Sequence, residues 1–395
     1  MSLFGSQLVQ YAITWYVTLK TQSGSMMTLA IVVGMLPTFF VSPLGGVLAD
    51  RFNRKYLINI ADGVTALATL VLAVCFFLGQ RNIALIFIIM AIRAVSQGIQ
   101  TPAVNAVIPQ ITPEKHLMRV NGINTTIQSA SMIISPMLSG ALLAFTSIEY
   151  IFFIDVFTAV AGISILFFFV KIPTIKREDA RAKNISFIKD VFIKDLKEGF
   201  SYILHHKFIK RFCAIAVFFF IAASPMCLLT PLQVTRKFGV EVWRLTAMEV
   251  AFSGGMLAGG ILMTIWGGFK NRTFTMFISS AALGIFSVLL GLVTNFWTYI
   301  SCAAVMGFLM PVFNVPSMSI LQSTVEENYM GRVFGVFSML SSVMMPVGMI
   351  FFGPLADIIS IDTLLIICGS FVFIISFYFA LDKTMRRAGL VRQEK

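Results

Sequence analysis

The sequence predicts an all-α membrane protein: twelve transmembrane helices in two pseudo-symmetric six-helix bundles. Three observations carry that expectation. Of the 395 residues, 57% are hydrophobic and 12% charged, where a soluble domain carries about 25% charge. The apolar residues come in runs of about 20, each long enough to cross roughly 30 Å of hydrocarbon as a helix, and the period-2 alternation of a membrane barrel is missing. Short matches also recur between the two halves at a near-constant offset, as they do in folds built from two copies of one bundle.

In chain order the spans read 2–19, 26–49, 56–79, 83–108, 119–144, 150–170, 208–234, 244–267, 273–293, 296–320, 329–355 and 363–381. The loops alternate in charge. One set, with the C-terminal tail, holds 24 of the 30 Lys and Arg; the other holds 5, and Arg93 lies inside a span. By the positive-inside rule this places both termini in the cytoplasm of a cell-membrane protein. The net charge of +12 is then mostly a collar facing anionic lipid, and nucleic acid is not an expected partner. The start, MSLFGSQLVQYAITWYV, has no basic region ahead of its apolar residues and no cleavage site before Lys20, so no secretory signal is expected. Five scattered cysteines suggest buried thiols, neither a disulfide framework nor a metal site.

The expected organisation is a bundle at 1–170, a cytoplasmic linker at 171–207, a second bundle at 208–382 and a basic tail at 383–395. Within the linker, Phe187, Val191, Leu196, Phe200 and Ile203 recur near helical spacing among lysines and acids. That pattern suits an amphipathic helix lying on the inner membrane surface. His205 and His206 at its end read as ordinary surface histidines. Across the halves, RVNG at 119–122 matches RVFG at 332–335, Gly140 falls on Gly353, and Gly45–Gly46 fall on Gly259–Gly260.

The stretch GGVLADRFNRK, 45–55, concentrates charge in the turn between spans 2 and 3. Glycines there let a helix approach a neighbouring backbone. Asp50 suits the positive end of a helix, and Arg51, Arg54 and Lys55 can reach acids or lipid phosphates. The pattern Gly46, Leu48, Asp50, Arg51, Arg54, Lys55 resembles the signature loop of the major facilitator superfamily, with Asn53 where that family often has Gly. The second copy, GGILMTIWGGFKNR, keeps the glycines and basic end without the Asp. The resemblance implies the major facilitator fold and transport by alternating access, with the loop as a gating latch. Over nearly the whole chain, YVTLKTQSGSMMTLAIVVGMLPTFFVSPLGGVLADRFNRK, TPAVNAVIPQ and MGRVF are similar to the drug-exporting branch that includes macrolide-efflux proteins, with enterobactin exporters as relatives. In that branch the residues resembling this start usually lie well inside helix 1. The run S-P-M-L-S-G at 135–140 resembles the antiporter motif, with Pro136 and Gly140 kept and serines at two glycine positions.

Polar residues inside spans are costly and hence informative. Arg93 lies near mid-depth of span 4, with Gln97 and Gln100 on the same face. In the superfamily, an Arg followed by Q-G there belongs to a motif tied to proton transfer; here the spacing is one residue longer. Arg93 is therefore either a cavity residue or half of a buried pair. Asn121, Asn124, Gln128, Ser131 and Ser135 stripe span 5, and Gln7, Tyr11 and Thr14 stripe span 1. These either face a cavity or join helices. Asp62 reads as a partner of Arg51 or Arg54, Asp155 as a structural or coupling acid, and Glu249 as a proton carrier or cation sensor. Met226, Met248 and Phe218 to Phe220 would make an adaptable apolar wall or mere packing.

The phosphate loop of nucleotide hydrolases and the hydrolase signatures do not occur. No enzyme activity, cofactor or metal is expected. The expected function is secondary active transport: proton-coupled export of amphipathic drugs such as macrolides, by a monomer. Export of a siderophore or lysolipid is the alternative within transport. A membrane-embedded enzyme or a non-transporting sensor is the alternative outside it.

Overall fold

A computed structural model describes residues 2–170 and 197–389. The described residues contain long helices and no β-strand. The helices are α1 (Ser2–Thr21), α2 (Gly24–Arg51), α3 (Arg54–Phe77), α4 (Ile83–Ile111), α5 (Glu114–Phe145), α6 (Ile148–Phe169) and a short α7 (197–205). After them come α8 (Lys207–Leu228), α9 (Thr230–Phe238), α10 (Val242–Trp266), α11 (Arg272–Leu292), α12 (Phe296–Thr324), α13 (Glu327–Ile358), α14 (Ile361–Leu381) and α15 (Lys383–Ala388). Among the described residues, eleven segments are long and apolar enough to cross a membrane, α8 and α9 counting as one. The twelfth long helix is α1, 20 residues and less apolar because Gln7, Gln10, Thr14 and their neighbours interrupt it.

The chain divides into two compact units. One comprises Met1–Gln22, Leu29–Ile188 and Glu241–Thr246; the other comprises Ser23–Thr28, Lys189–Val240 and Ala247–Lys395. In the first unit α3 packs on α4 and α6, and α1 on α5 and α6. Leu8, Ile13, Leu72, Phe76, Met90 and Phe152 fill the space between them. In the second unit α11 packs on α12 and α14, and α8 on α13 and α14. The first turn of α2 counts with this unit because Asp357, at the end of α13, accepts from the Gly24 and Ser25 amides at 2.6 and 2.9 Å. A carboxylate there meets the positive end of the α2 dipole.

The internal repeat is visible in contacts as well as letters. Asn53 caps α3 and Asn271 caps α11, each accepting the amide two residues on. The next residue of each copy reaches the C-terminal part of a neighbouring helix: Arg54 Nη1 donates to the Ala106 carbonyl at 2.7 Å, and Arg272 Nη1 to that of Ser319 at 3.3 Å. Asn82 and Asn295 likewise cap α4 and α12. Such caps satisfy amides that a helix leaves open. The glycine pairs act alike too. A β-carbon on Gly45 would lie 2.4 Å from the Gly98 carbonyl oxygen, and one on Gly259 2.1 Å from that of Phe308, whereas Gly46 and Gly260 face open space.

Residues 171–196, with most of the expected amphipathic helix, lie outside the described residues. Its described end, α7, packs on α13 of its own unit. Glu198 pairs with Arg332 at 2.9 Å, and the Tyr202 ring stacks on Tyr329 at 4.5 Å. Ile203 is buried there, while Phe200 is exposed.

Candidate functional site

The charged turn braces the first unit. Arg54 Nε donates to the Ala49 carbonyl at 2.7 Å while its Nη1 holds Ala106. Lys55 Nζ donates to the Phe167 and Val170 carbonyls, both at 2.7 Å. These acceptors lie near the C-terminal ends of α2, α4 and α6, where helix dipoles favour cations. Both bases thus hold backbone carbonyls. Asp50 falls in the last turn of α2 and its side chain is outside the described part; Arg51 beside it is exposed. Of the two glycines, only Gly45 makes a close approach.

Arg93 and Asp155 come together deep in this unit. Arg93 Nη1 donates to Asp155 Oδ2 and to Thr69 Oγ1, and Nη2 donates to the Ser6 carbonyl at 3.0 Å. Ser6 Oγ donates to Asp155 Oδ1 and Thr69 Oγ1 to Oδ2, both at 3.1 Å. Four helices, α1, α3, α4 and α6, meet at this pair, whose side chains are 6% and 0% exposed. Sharing of the donors among several acceptors compensates the desolvation of both charges. A β-carbon on Gly5 would fall 2.1 Å from Thr158 Oγ1 and 3.2 Å from Asp155, so glycine there lets α1 close over the pair.

Gln97 is exposed and takes no part in the pair. Gln100 instead donates to Asp62 Oδ1 at 2.7 Å, as does Ser2 Oγ. Asp62 therefore does not pair with Arg51 or Arg54. It sits more than two turns inside α3, and the guanidinium of Arg54 turns back toward the ends of α2 and α4.

Gln128 is exposed on α5, as are Asn121 and Thr125. Farther along, Pro136 lies inside the continuous helix and Gly140 is filled in from outside: a β-carbon there would meet Thr246 Oγ1 at 1.9 Å and the Trp15 ring at 2.6 Å. Ser135 and Ser139, which stand at two glycine positions of the antiporter motif, bury hydroxyls with no hydrogen-bond partner among the described residues.

Glu249 belongs to the second unit. It lies two turns into α10 and lines a cavity of about 60 Å³ with Met226, Cys227, Met248, Phe252 and Tyr299. Its carboxylate is half-buried and makes no hydrogen bond to a described residue. Met226 and Met248 thus line a cavity as well as packing. A larger space, about 260 Å³, lies elsewhere in the unit, with Phe219, Phe313 and Phe379 in its wall and Asn314 at its exposed side. Phe219 and Phe313 stack at 4.6 Å.

The sequence reading did not find the polar cluster of α9. Gln233 accepts from the Tyr299 hydroxyl at 2.8 Å and donates to Asp362 Oδ1 at 2.6 Å, and Lys237 pairs with Asp362 Oδ2 at 2.9 Å. A glutamine inside the apolar stretch 208–234 was the available signal.

Two bundles of long apolar helices with matching caps, a braced charged turn and a buried charge pair define a transporter fold. The family model of the Major Facilitator Superfamily matches residues 1–349. The chain belongs to that superfamily and is a multi-pass membrane transporter. It is 28% identical over 392 residues to "Macrolide efflux protein A" of Streptococcus pyogenes, covering 99% of this chain and 95% of that one. It is 29% identical over 329 residues to the protein of the same name from Enterococcus faecalis, covering 82% and 100%. Among solved structures, that of a POT family transporter in complex with 5-aminolevulinic acid has a TM-score of 0.71 at 11% identity, covering 96% of this chain and 94% of that one. That likeness is one of fold.

Proposed function

We propose that this chain exports amphipathic drugs such as macrolides, driven by protons, as a monomer in the cell membrane with both termini in the cytoplasm. Residues 1–170 and 208–382 are the two moving bodies of an alternating-access cycle, joined by the linker at 171–207 and followed by the tail at 383–395. The observation that carries the reading is Glu249: a carboxylate with no hydrogen bond to a described residue, lining a small cavity beside α10. Such a group can exchange a proton or meet a cationic cargo without first breaking a pair. Similarity to macrolide efflux proteins along nearly the full chain supports the cargo class.

Anionic cargo is the weaker reading, because the Arg93 charge is matched by Asp155. A lysolipid is the second reading that an observation favours, since the phenylalanine-walled cavity of about 260 Å³ could take part of an acyl chain.

One proton entering down one pH unit and 100 mV supplies about 1.36 plus 2.3 kcal/mol, or roughly 3.7 kcal/mol. That suffices for several-hundred-fold accumulation of a neutral cargo, at about 1.4 kcal/mol per tenfold. Inverted vesicles test the proposal directly. Glu249→Gln is expected to bind cargo and exchange it for cargo, yet to lose accumulation driven by a pH gradient. Accumulation equal to the parent's, and equally sensitive to an uncoupler, would exclude Glu249 as the coupling group and make Asp155 the next acid to test.

A further inference from the structure

The two copies of the charged turn differ at one position, and α15 lies where the difference is felt. In the first unit Asn53 caps α3 and Arg54 holds a neighbouring helix. Lys55 Nζ then donates to the Phe167 and Val170 carbonyls at the end of α6, both at 2.7 Å. In the second unit Asn271 and Arg272 repeat the first two roles. The third position holds Thr273. A threonine cannot span to the end of α14, the helix that packs on α11 as α6 packs on α3.

Residues 382–389 come to this turn instead. Arg272 N donates to the Gly389 carbonyl at 2.8 Å, and Asn271 Nδ2 to the Arg386 carbonyl at 3.3 Å. Thr273 Oγ1 donates to the Met385 carbonyl at 3.4 Å, and the Met385 side chain is fully buried. Asp382 accepts from the Thr384 and Met385 amides and pairs with Arg211 of α8 at 2.6 Å. Gly389 has φ −77° and ψ −12°, so its backbone does not call for glycine. Its surroundings do: a β-carbon there would lie 2.2 Å from Thr273 Oγ1 and 2.4 Å from Asn271 Oδ1. A tail that only lay against anionic lipid would use neither a buried methionine nor a close-packed glycine.

We propose that residues 382–389 are a strap that takes the place of the missing lysine. It ties the start of α8, the start of α11 and the end of α14 into one body, and export requires it to be closed.

The test is a reversal of sign. Met385→Ser and Gly389→Val release the strap by two independent routes. Asp382→Asn can still cap α15 and weakens only the link to Arg211. In the purified full-length protein in lipid nanodiscs, the first two should lower the melting temperature. They should also speed deuterium exchange of the Arg272 amide by about tenfold or more, the scale of one buried methionine; Asp382→Asn should do both to a smaller degree. Thr273→Lys should destabilise the parent, since Thr273 is buried beneath the strap. In either released protein the same lysine can swing to the carbonyls that α14 leaves open at its end. There it should raise the melting temperature and recover export in inverted vesicles, while the Arg272 amide still exchanges fast. Parental melting and exchange in both released proteins would refute the strap. A lysine that harms parent and released proteins alike would refute the replacement, and parental export by a released protein would refute the need for closure. Melting and exchange involve neither cargo nor Glu249. If the parent itself shows no gradient-driven export, the coupling reading falls and these two measurements still decide the strap.

Discussion

Arg93 and Asp155 form a pair whose removal should be read by halves. Losing one partner leaves an uncompensated charge in the interior, a loss of about 3–5 kcal/mol, whereas replacing both by apolar residues is often neutral. Arg93→Ala is therefore expected to lower the melting temperature of the purified protein sharply and to lose transport. Arg93→Leu with Asp155→Leu should recover most of the stability without recovering export. Arg93→Lys should fall between, since a single ammonium cannot reproduce the planar fork that also reaches Ser6 and Thr69. Full export by the stable double variant would show that the pair only holds four helices together.

The packed glycine and its neighbour separate structure from motion at the level of the helix. A β-carbon on Gly45 would press within 2.4 Å of the Gly98 carbonyl of α4, while Gly46 meets nothing within 4 Å. Gly45→Ala should force α2 off α4, lowering folded yield and thermal stability. Gly46→Ala should melt close to the parent, because it even removes some freedom from the unfolded chain. An export defect in Gly46→Ala at parental stability would belong to the transport cycle, as the superfamily signature implies for that position. Equal stability of both variants would contradict the α2–α4 packing described here.

The gating latch that the family resemblance implies for the charged turn would act at the scale of the whole molecule, and Asp50 is the residue that tests it. Asp50→Asn is expected to reduce export in vesicles while leaving expression and melting unchanged; parental export rates would remove the latch from the mechanism. The large architecture was legible because the bilayer dictates it. Runs of about 20 apolar residues leave few alternatives to spanning helices, and the paired glycines at 45–46 and 259–260 betrayed the repeat. Partner choice was less legible. Arg93 had several acids to choose from, and nothing local to residue 93 points to Asp155, 62 positions later. Asp62 was assigned to the nearest bases in the chain, yet helical rise carries it up α3 to Ser2 and Gln100. Arg54 and Lys55 bind backbone carbonyls, acceptors that every residue carries and no letter announces. Gln233 and Lys237 drew no site reading from the sequence, because their partner Asp362 lies more than a hundred residues away.

That same separation of 62 positions has a meaning during synthesis. Ribosomes add about 5–20 residues per second, so α4 waits roughly 3–12 s for the acid that neutralises it. Through that interval Arg93 weighs against insertion by about 2.5–3.5 kcal/mol. Nascent α4 should therefore linger beside the insertion machinery until α6 emerges. Chains arrested after α5 should crosslink from α4 to that machinery, chains extended past α6 should not, and Arg93→Leu should release α4 early in both. Crosslinks that vanish before α6 emerges would mean that lipid phosphates or water shelter the guanidinium on its own.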